Sequence, residues 1–169
     1  MSDTEVPPAG PPPRVALVVD GAVGAGRTVG IRLADAGTAV AVTVAGHGTG
    51  RAALLAKEFA DRGLTALPYR MDPDAPNALG RVVAAVMRDL GPVELLVWAP
   101  RPALLPLLDG HAVDLLGRSG RPARVVAVTA TPAALPPGSG PVQVAWVAPA
   151  EDEHAVAEAV LAAALGPVP

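Results

Sequence analysis

The chain has 169 residues, of which 51% are apolar, and a formal net charge of −3. This length predicts one domain with a substantial core. An aromatic content of 2% and the lack of a basic block argue against nucleic-acid binding. Cysteine is absent from the sequence, which excludes disulfides, thiolate metal sites and a cysteine nucleophile.

The N-terminal 13 residues are acidic and rich in proline, the opposite of a secretory signal. We expect a disordered or polyproline-like tail over 1–13, a single domain over 14–169 and a cytoplasmic protein. No apolar run approaches the roughly 18 residues that cross a bilayer, so no membrane association is predicted. His47, His111 and His154 lie far apart, without ligand spacing, so no metal site is predicted.

Short apolar runs alternate with segments of helical period along the first hundred residues. The clearest helix has apolar residues at i, i+3, i+4, i+7, i+8 and i+11 from Leu79 to Leu90. Gly37, Gly63 and Gly91 each follow a predicted helix, which is typical of C-terminal caps. The predicted strands are 14–20, 39–44, 64–71 and 93–98, and the predicted helices are 27–36, 51–62 and 79–90. Strands that alternate with helices in this way predict a parallel sheet covered on both faces.

The second part of the chain predicts fewer helices. Prolines and glycines within 131–141 exclude a normal crossover helix there. The remaining predicted elements are a short helix at 111–116, strands at 124–129 and 142–148, and a helix at 151–165 whose acidic start suits a helix N-terminus. The expected fold is therefore α/β, a Rossmann-like three-layer α/β/α sandwich with about six mostly parallel strands. The helices after strands four and five are shortened or lost, and the direction of strand six stays open.

A glycine turn follows the first strand and is the main candidate for function. Asp20 is followed by Gly21, Gly24 and Gly26, and Arg27 comes directly afterwards. In open α/β sheets, glycines at this point let the backbone approach a phosphate, and unpaired N–H groups of the new helix point at the anion. Arg27 is placed to meet that phosphate. The alternative is that the glycines only allow a tight turn and close packing, and both interpretations stay open.

The same residues also have the spacing of a nucleoside triphosphate-binding P-loop. Gly21 to Thr28 matches that motif with arginine in place of lysine. A P-loop enzyme also needs an acidic residue at the end of another strand to hold Mg²⁺. The later strands end at Trp98, Thr129 and Ala148 instead. The sequence therefore disfavours a nucleoside triphosphatase.

Taken in order, these segments resemble the short-chain dehydrogenase/reductase family over almost the whole length. DGAVGAG resembles that family's TGxxxGxG turn, one residue short, and VELLVWAP at 93–100 resembles its DxLVNNAG strand. The segments 124–129 and 142–149 resemble the strand that ends at the active-site serine and the strand that leads to a PG turn. The resemblance implies a nicotinamide dinucleotide with adenine beside Asp72. The implied cofactor-binding residues are Gly21, Gly24, Gly26, Arg27, Asp72 and Ala99.

The end of the second strand bears on the choice between NADP and NAD. No acidic residue stands there to hold the adenosine 2′-hydroxyl of NAD, whereas His47 or Arg51 could meet the 2′-phosphate of NADP. NADP is therefore favoured over NAD. Trp98 and Pro100 stand where the family has small or polar residues that leave room for the nicotinamide ribose.

The residues that perform the chemistry of that family are missing. Its members use a tyrosine that gives or takes the hydroxyl proton, and a lysine four residues later lowers the pKa of that tyrosine. This chain has one tyrosine, Tyr69 in the third strand, and one lysine, Lys57 on the second helix. Residues 115–150 contain no Asp or Glu that could take over the role. We therefore assign no catalytic residue.

These observations predict a non-catalytic binding, regulatory or accessory subunit that retains NADP or NAD binding. We expect a homo- or hetero-oligomer partner through residues 101–121, with the leucines at 104–108 and 115–116 exposed. The alternative is an atypical NADP-dependent oxidoreductase that uses non-standard residues. Its candidate residues are Asp109, His111, Asp114 and Thr129.

Overall fold

The computed structural model describes residues 13–21, 24–45, 49–98, 110–118, 122–128 and 142–166. The strands are β1 (Val15–Val19), β2 (Ala39–Ala45), β3 (Ala66–Met71), β4 (Leu95–Trp98), β5 (Ala123–Val128) and β6 (Val142–Val147). The helices are α1 (Gly24–Asp35), α2 (Thr49–Asp61), α3 (Ala78–Leu90), α4 (Gly110–Gly117) and α5 (Glu153–Leu165). The predicted tail lies outside these residues except for Pro13.

The six strands form one parallel sheet with the order β3-β2-β1-β4-β5-β6. The chain direction across the sheet reverses between β1 and β4, and such a switch point opens a crevice at the carboxyl ends of the strands. β6 pairs with β5 in parallel, from Ala123 opposite Val142 to Val128 opposite Val147. The direction of the sixth strand, which the sequence left open, is thus parallel.

Two apolar clusters cover the two faces of the sheet, which confirms the predicted three layers. One cluster packs α1, α2 and α5 against the sheet, with Val29, Phe59 and Val160 all nearly inaccessible. The other packs α3 and α4 against the opposite face, with Leu79 and Leu116 among its buried residues. Burial on both faces explains why the strands are apolar throughout rather than alternating.

The predicted glycine caps end α1 and α2. Gly37 has φ 95° and Gly63 has φ 67°, a left-handed conformation that glycine adopts without strain. After each glycine, the next N–H donates to the carbonyl five residues earlier, at 3.0 Å and 2.9 Å respectively. This is the Schellman arrangement. The start of α1 differs from the prediction, because the helix begins at Gly24 instead of Arg27 and so includes Gly26 in its first turn.

Arg124 fastens the end of α5 to the sheet. This residue is the second of β5, and its Nη1 donates to the carbonyls of Ala163 (2.8 Å), Ala164 (3.0 Å) and Gly166 (2.9 Å). The last carbonyls of a helix have no intrahelical partner and carry the negative end of its dipole. A guanidinium therefore satisfies them by hydrogen bonding and by charge.

The expected exposure of residues 115–116 is wrong. Leu116 is 1% exposed and Leu115 is partly buried, because α4 is long enough to place one face on the sheet. The eight residues of α4 confirm the predicted shortening after β4. The link predicted to lack a helix after β5 lies within residues that the structure does not describe.

Candidate functional site

The turn after β1 lies at the switch point and is held by a buried threonine. Asp20 has φ 56°, a left-handed conformation that is uncommon for a residue with a side chain. Its N–H donates to Oγ1 of Thr43 in β2 at 2.7 Å, and Thr43 is 1% exposed. This hydrogen bond to a buried acceptor fixes where the chain leaves β1 and enters the glycine turn.

Gly21 is required by packing. A Cβ placed on this residue would lie 2.7 Å from Cγ1 of Val18 and 3.0 Å from Cγ1 of Val42. Both valines are buried in the sheet, so neither can move aside freely. At this glycine, the interpretation as a tight turn with close packing accounts for the residue without any ligand.

Gly24 begins α1 beside a carboxylate from the last helix. Its φ is 60°, and a Cβ placed on it would lie 3.1 Å from Oε1 of Glu153. Further along, Arg32 of α1 forms an ion pair with Glu158 of α5. The two helices therefore run side by side in the same direction, with both N-termini at the carboxyl edge of the sheet. Glu153 lies in the first turn of α5, directly after the N-cap residue Asp152.

Arg27 points to α2 instead of standing free at the turn. Its Nε donates to Oε2 of Glu58 at 3.1 Å, and its Nη2 forms an ion pair with Oε1 of the same carboxylate. Nη2 of Arg62 lies 3.7 Å from Oε1. The hydrogen bond from Arg27 holds the pKa of Glu58 below its ordinary value, while partial burial opposes that shift. A phosphate at the turn would have to compete with Glu58 for this guanidinium.

Of the other predicted cofactor residues, Gly26 and Asp72 lie along the same edge of the sheet. Asp72 follows β3 and is exposed, and its Oδ1 accepts the N–H of Asp74 at 3.0 Å. Gly26 is buried inside α1, and Arg51 is exposed in the first turn of α2. Ala99, like His47 and Pro100, lies outside the described residues. The glycines, Asp72 and Arg51 are thus grouped at one edge.

The single tyrosine and the single lysine lie away from this turn. The Tyr69 hydroxyl donates to Oδ2 of Asp89 on α3 at 3.0 Å. Burial, helped by that hydrogen bond, raises the pKa of Tyr69 to about 12. Lys57 pairs with Asp61 one turn later on α2. Neither residue contacts the other, and each already has an acidic partner.

The pKa of Tyr69 can be measured directly, because this chain has no second tyrosine. We expect the absorbance of the phenolate to appear near pH 12 in the folded protein, above the usual value of about 10. A group whose pKa is raised on folding stabilises the fold below its unfolded pKa, so stability falls as the pH rises from 10 towards 12. Asp89→Asn should lower the pH at which the Tyr69 phenol ionises. An ionisation of Tyr69 at pH 10 in the folded wild-type protein would contradict the partly buried, hydrogen-bonded phenol.

The candidates for an atypical active site are only partly described. His111 lies on α4 with its ring against α3, where a Cβ on Gly80 would come within 2.5 Å of Cδ2. Asp114 is exposed on the same helix, and Asp109 and Thr129 lie outside the described residues. In the part of the chain that the structure describes, no three His, Cys, Asp or Glu side chains converge as metal ligands. No helix in these ranges is long and apolar enough to cross a bilayer.

No protein-family model matches the sequence, and no curated protein matches it either. Solved structures do match. A single-substitution variant of actinorhodin polyketide ketoreductase with NADPH superposes with a TM-score of 0.55 at 23% identity, over 72% of this chain and 54% of that chain. A hydroxysteroid dehydrogenase from Escherichia coli has a TM-score of 0.58 at 19% identity, over 68% and 54%. A variant short-chain dehydrogenase/reductase from Serratia marcescens has a TM-score of 0.58 at 22% identity, over 72% and 58%.

These matches give the fold. The chain has the short-chain dehydrogenase/reductase architecture, as the sequence resemblance implies, and it spans little more than half the length of each of the three solved structures. Two of the solved structures that match it contain NADPH. At identities of 19–23%, the likeness is one of backbone fold alone.

Proposed function

We propose that this chain is a non-catalytic protein of short-chain dehydrogenase/reductase fold that binds NADP(H) and acts as a binding or regulatory subunit. One observation carries the proposal. The chain retains the parallel sheet and its glycine turn, while its only tyrosine and only lysine are committed to acidic partners elsewhere.

The state of Tyr69 supports the non-catalytic part. A general acid or base works best when its pKa lies near the operating pH. Here burial and the bond to Asp89 move the pKa of the phenol to about 12, away from neutrality. Lys57 lies on α2 and pairs with Asp61, so it is not placed to lower that pKa. The tyrosine is accordingly a structural residue.

The architecture of the edge supports dinucleotide binding. The crevice at a topological switch point takes ligands in open α/β sheets. Gly21 and Gly24 lie at that point, and Asp72 follows β3 along the same edge. Arg51 is exposed, and no ion pair is found for it among the described residues. An exposed arginine shortly after the end of β2 suits a 2′-phosphate, which favours NADP over NAD.

Titration with NADPH and NADH, followed by the fluorescence of the reduced nicotinamide, tests the binding. We expect saturable NADPH binding, and we expect Arg51→Ala to weaken it about 10–150-fold, since a charge-assisted hydrogen bond contributes about 1.5–3 kcal/mol. NADH binding should be unchanged in that variant. Arg14→Ala is the matched control, because Arg14 is an exposed arginine that directly precedes β1, at the opposite edge of the sheet. Equal losses of NADPH affinity in both variants would contradict the assignment of Arg51 to the 2′-phosphate.

A turnover assay distinguishes the proposed non-catalytic protein from an atypical oxidoreductase. With NADPH and a panel of carbonyl compounds, we expect no oxidation of the nicotinamide above the protein-free rate. A steady rate that His111→Ala or Asp114→Ala abolishes would instead establish an enzyme with non-standard residues. Absence of NADPH binding in the titration would overturn the binding part of the proposal.

The proposal includes an oligomer partner at residues 101–121. Within this range the structure describes 110–118, where α4 exposes His111, Asp114 and Arg118 between its buried positions. The described part of this surface is therefore polar, in contrast to the apolar surface expected from the sequence. A partner at α4 would be recognised through charged and polar groups.

A further inference from the structure

We infer that the carboxylate of Glu153 is an internal anion that occupies the phosphate end of the glycine turn, so that a dinucleotide enters the turn only after this side chain has moved away. The inference rests on the proposed function and adds to it a regulatory contact. It concerns one rotatable side chain on α5 and one glycine on α1.

The carboxylate of Glu153 lies close to Gly24. A Cβ placed on Gly24 would lie 3.1 Å from Oε1, 3.5 Å from Cδ and 3.7 Å from Oε2 of Glu153. The whole carboxylate therefore lies against the first residue of α1. A glycine at this point lets an anionic group approach the backbone closely, and the approaching group here belongs to the chain itself.

Electrostatics favours a carboxylate at this position. Parallel packing places the N-termini of α1 and α5 at the same edge, and each carries the positive end of a helix dipole. Glu153 lies in the first turn of its own helix and beside the first turn of the other. The two arginines of α1 are paired elsewhere, Arg27 with Glu58 and Arg32 with Glu158. The carboxylate therefore puts a negative charge beside the N-terminus of α1, where a bound phosphate would also carry one.

The contact between Glu153 and Gly24 can open without movement of α5. Val156, Ala157 and Val160 hold α5 in the core on the α1 side of the sheet, and all three are nearly inaccessible. Glu153 itself is exposed. Rotation of this side chain uncovers the start of α1 while α5 keeps its place. The contact therefore adds a competing anion to the site, and no rearrangement of the fold is needed to remove it.

Inorganic pyrophosphate tests the contact separately from the rest of the dinucleotide. We expect millimolar pyrophosphate to raise the thermal unfolding midpoint of Glu153→Ala and Glu153→Gln more than that of the wild-type protein. Glu151→Ala is the matched control, since it removes the same charge from an exposed residue that precedes α5. NADPH should bind Glu153→Gln about 2–5-fold more tightly than the wild type, as expected when an exposed competing anion at a helix N-terminus is removed.

The outcomes separate the two proposals. An equal effect of pyrophosphate on the wild type and all three variants, or no effect on any, overturns the inference about Glu153. Selective stabilisation of both Glu153 variants by pyrophosphate, without NADPH binding to any protein, supports the inference and removes the proposed dinucleotide. Glu153→Gln retains the size of the side chain, so it remains informative if Glu153→Ala fails to fold.

Discussion

Gly21→Ala is expected to lower the free energy of unfolding by about 1–3 kcal/mol, a typical cost of overpacking a dense interior. The reason is the 2.7 Å that separates the new Cβ from Cγ1 of Val18, with Cγ1 of Val42 at 3.0 Å. Neither valine has free space, because both lie within the sheet at 0–1% exposure. Urea unfolding followed by circular dichroism measures the loss.

A second glycine provides the control for this substitution. Gly50 lies in the first turn of α2, and a Cβ placed on it meets nothing within 4 Å. Gly50→Ala should therefore stabilise the protein by about 0.4–1 kcal/mol, because it reduces the conformational entropy of the unfolded chain. Val18→Ala combined with Gly21→Ala should cost less than the sum of the single variants, by about 0.5–3 kcal/mol, because the two residues are in contact. Additive costs would disprove the clash.

This result affects how nucleotide binding is tested. If Gly21→Ala destabilises the protein without ligand, its failure to bind NADPH says nothing about a contact between glycine and phosphate. Gly24 and Glu153 offer the cleaner experiment, because the neighbour there is the end of an exposed side chain and not a buried valine. A substitution at Glu153 changes the charge at the turn without forcing an atom into the core.

Phe59→Ala is expected to have the largest effect on stability, a loss of about 3–5 kcal/mol. Phe59 is the one phenylalanine of the chain and is 0% exposed. Its ring reaches α1, where a Cβ on Gly30 would lie 3.8 Å from Cζ. Removal of the ring leaves a cavity between α1, α2 and the sheet. The thermal midpoint should fall by roughly 6–20 °C for a domain of this size.

Leu54 is the matched control on the same helix. This side chain is 70% exposed, so Leu54→Ala should change the free energy of unfolding by no more than about 0.5 kcal/mol. Similar losses for Leu54→Ala and Phe59→Ala would contradict the burial of Phe59 and the exposure of Leu54, because alanine favours a helix at least as well as either residue. A small loss for Phe59→Ala alone would mean that its neighbours collapse into the space.

Much of the fold follows from sequence patterns that are local. The glycines after α1 and α2 and the helical period from Leu79 to Leu90 each depend on residues within a few turns, and the structure confirms them. The direction of β6 was not predictable, since no helix pattern lies between β5 and β6. The burial of Leu116 was not predictable from the segment of α4 alone, because it depends on the face of the sheet that α4 covers.

The site depends on contacts that no local pattern contains. Arg27 and its partner Glu58 are separated by 31 positions, so the sequence showed a free arginine next to a glycine turn. Glu153 was correctly assigned to the start of a helix. Its position at Gly24, however, results from α1 and α5 packing side by side on one face of the sheet. The charge at the turn is therefore a tertiary property.

Because α1 packs against α5, the packing around α1 can be completed only after α5 has been synthesised. The helix that flanks α1 begins 118 positions after α1 ends, at Glu153 as against Asp35. At about 5–20 residues per second on the ribosome, that interval lasts roughly 6–24 s. Throughout it the apolar flank of α1 has no cover from α5, and transiently exposed apolar surface of this kind is prone to aggregation. The glycine turn acquires its own carboxylate only when the last helix has been made.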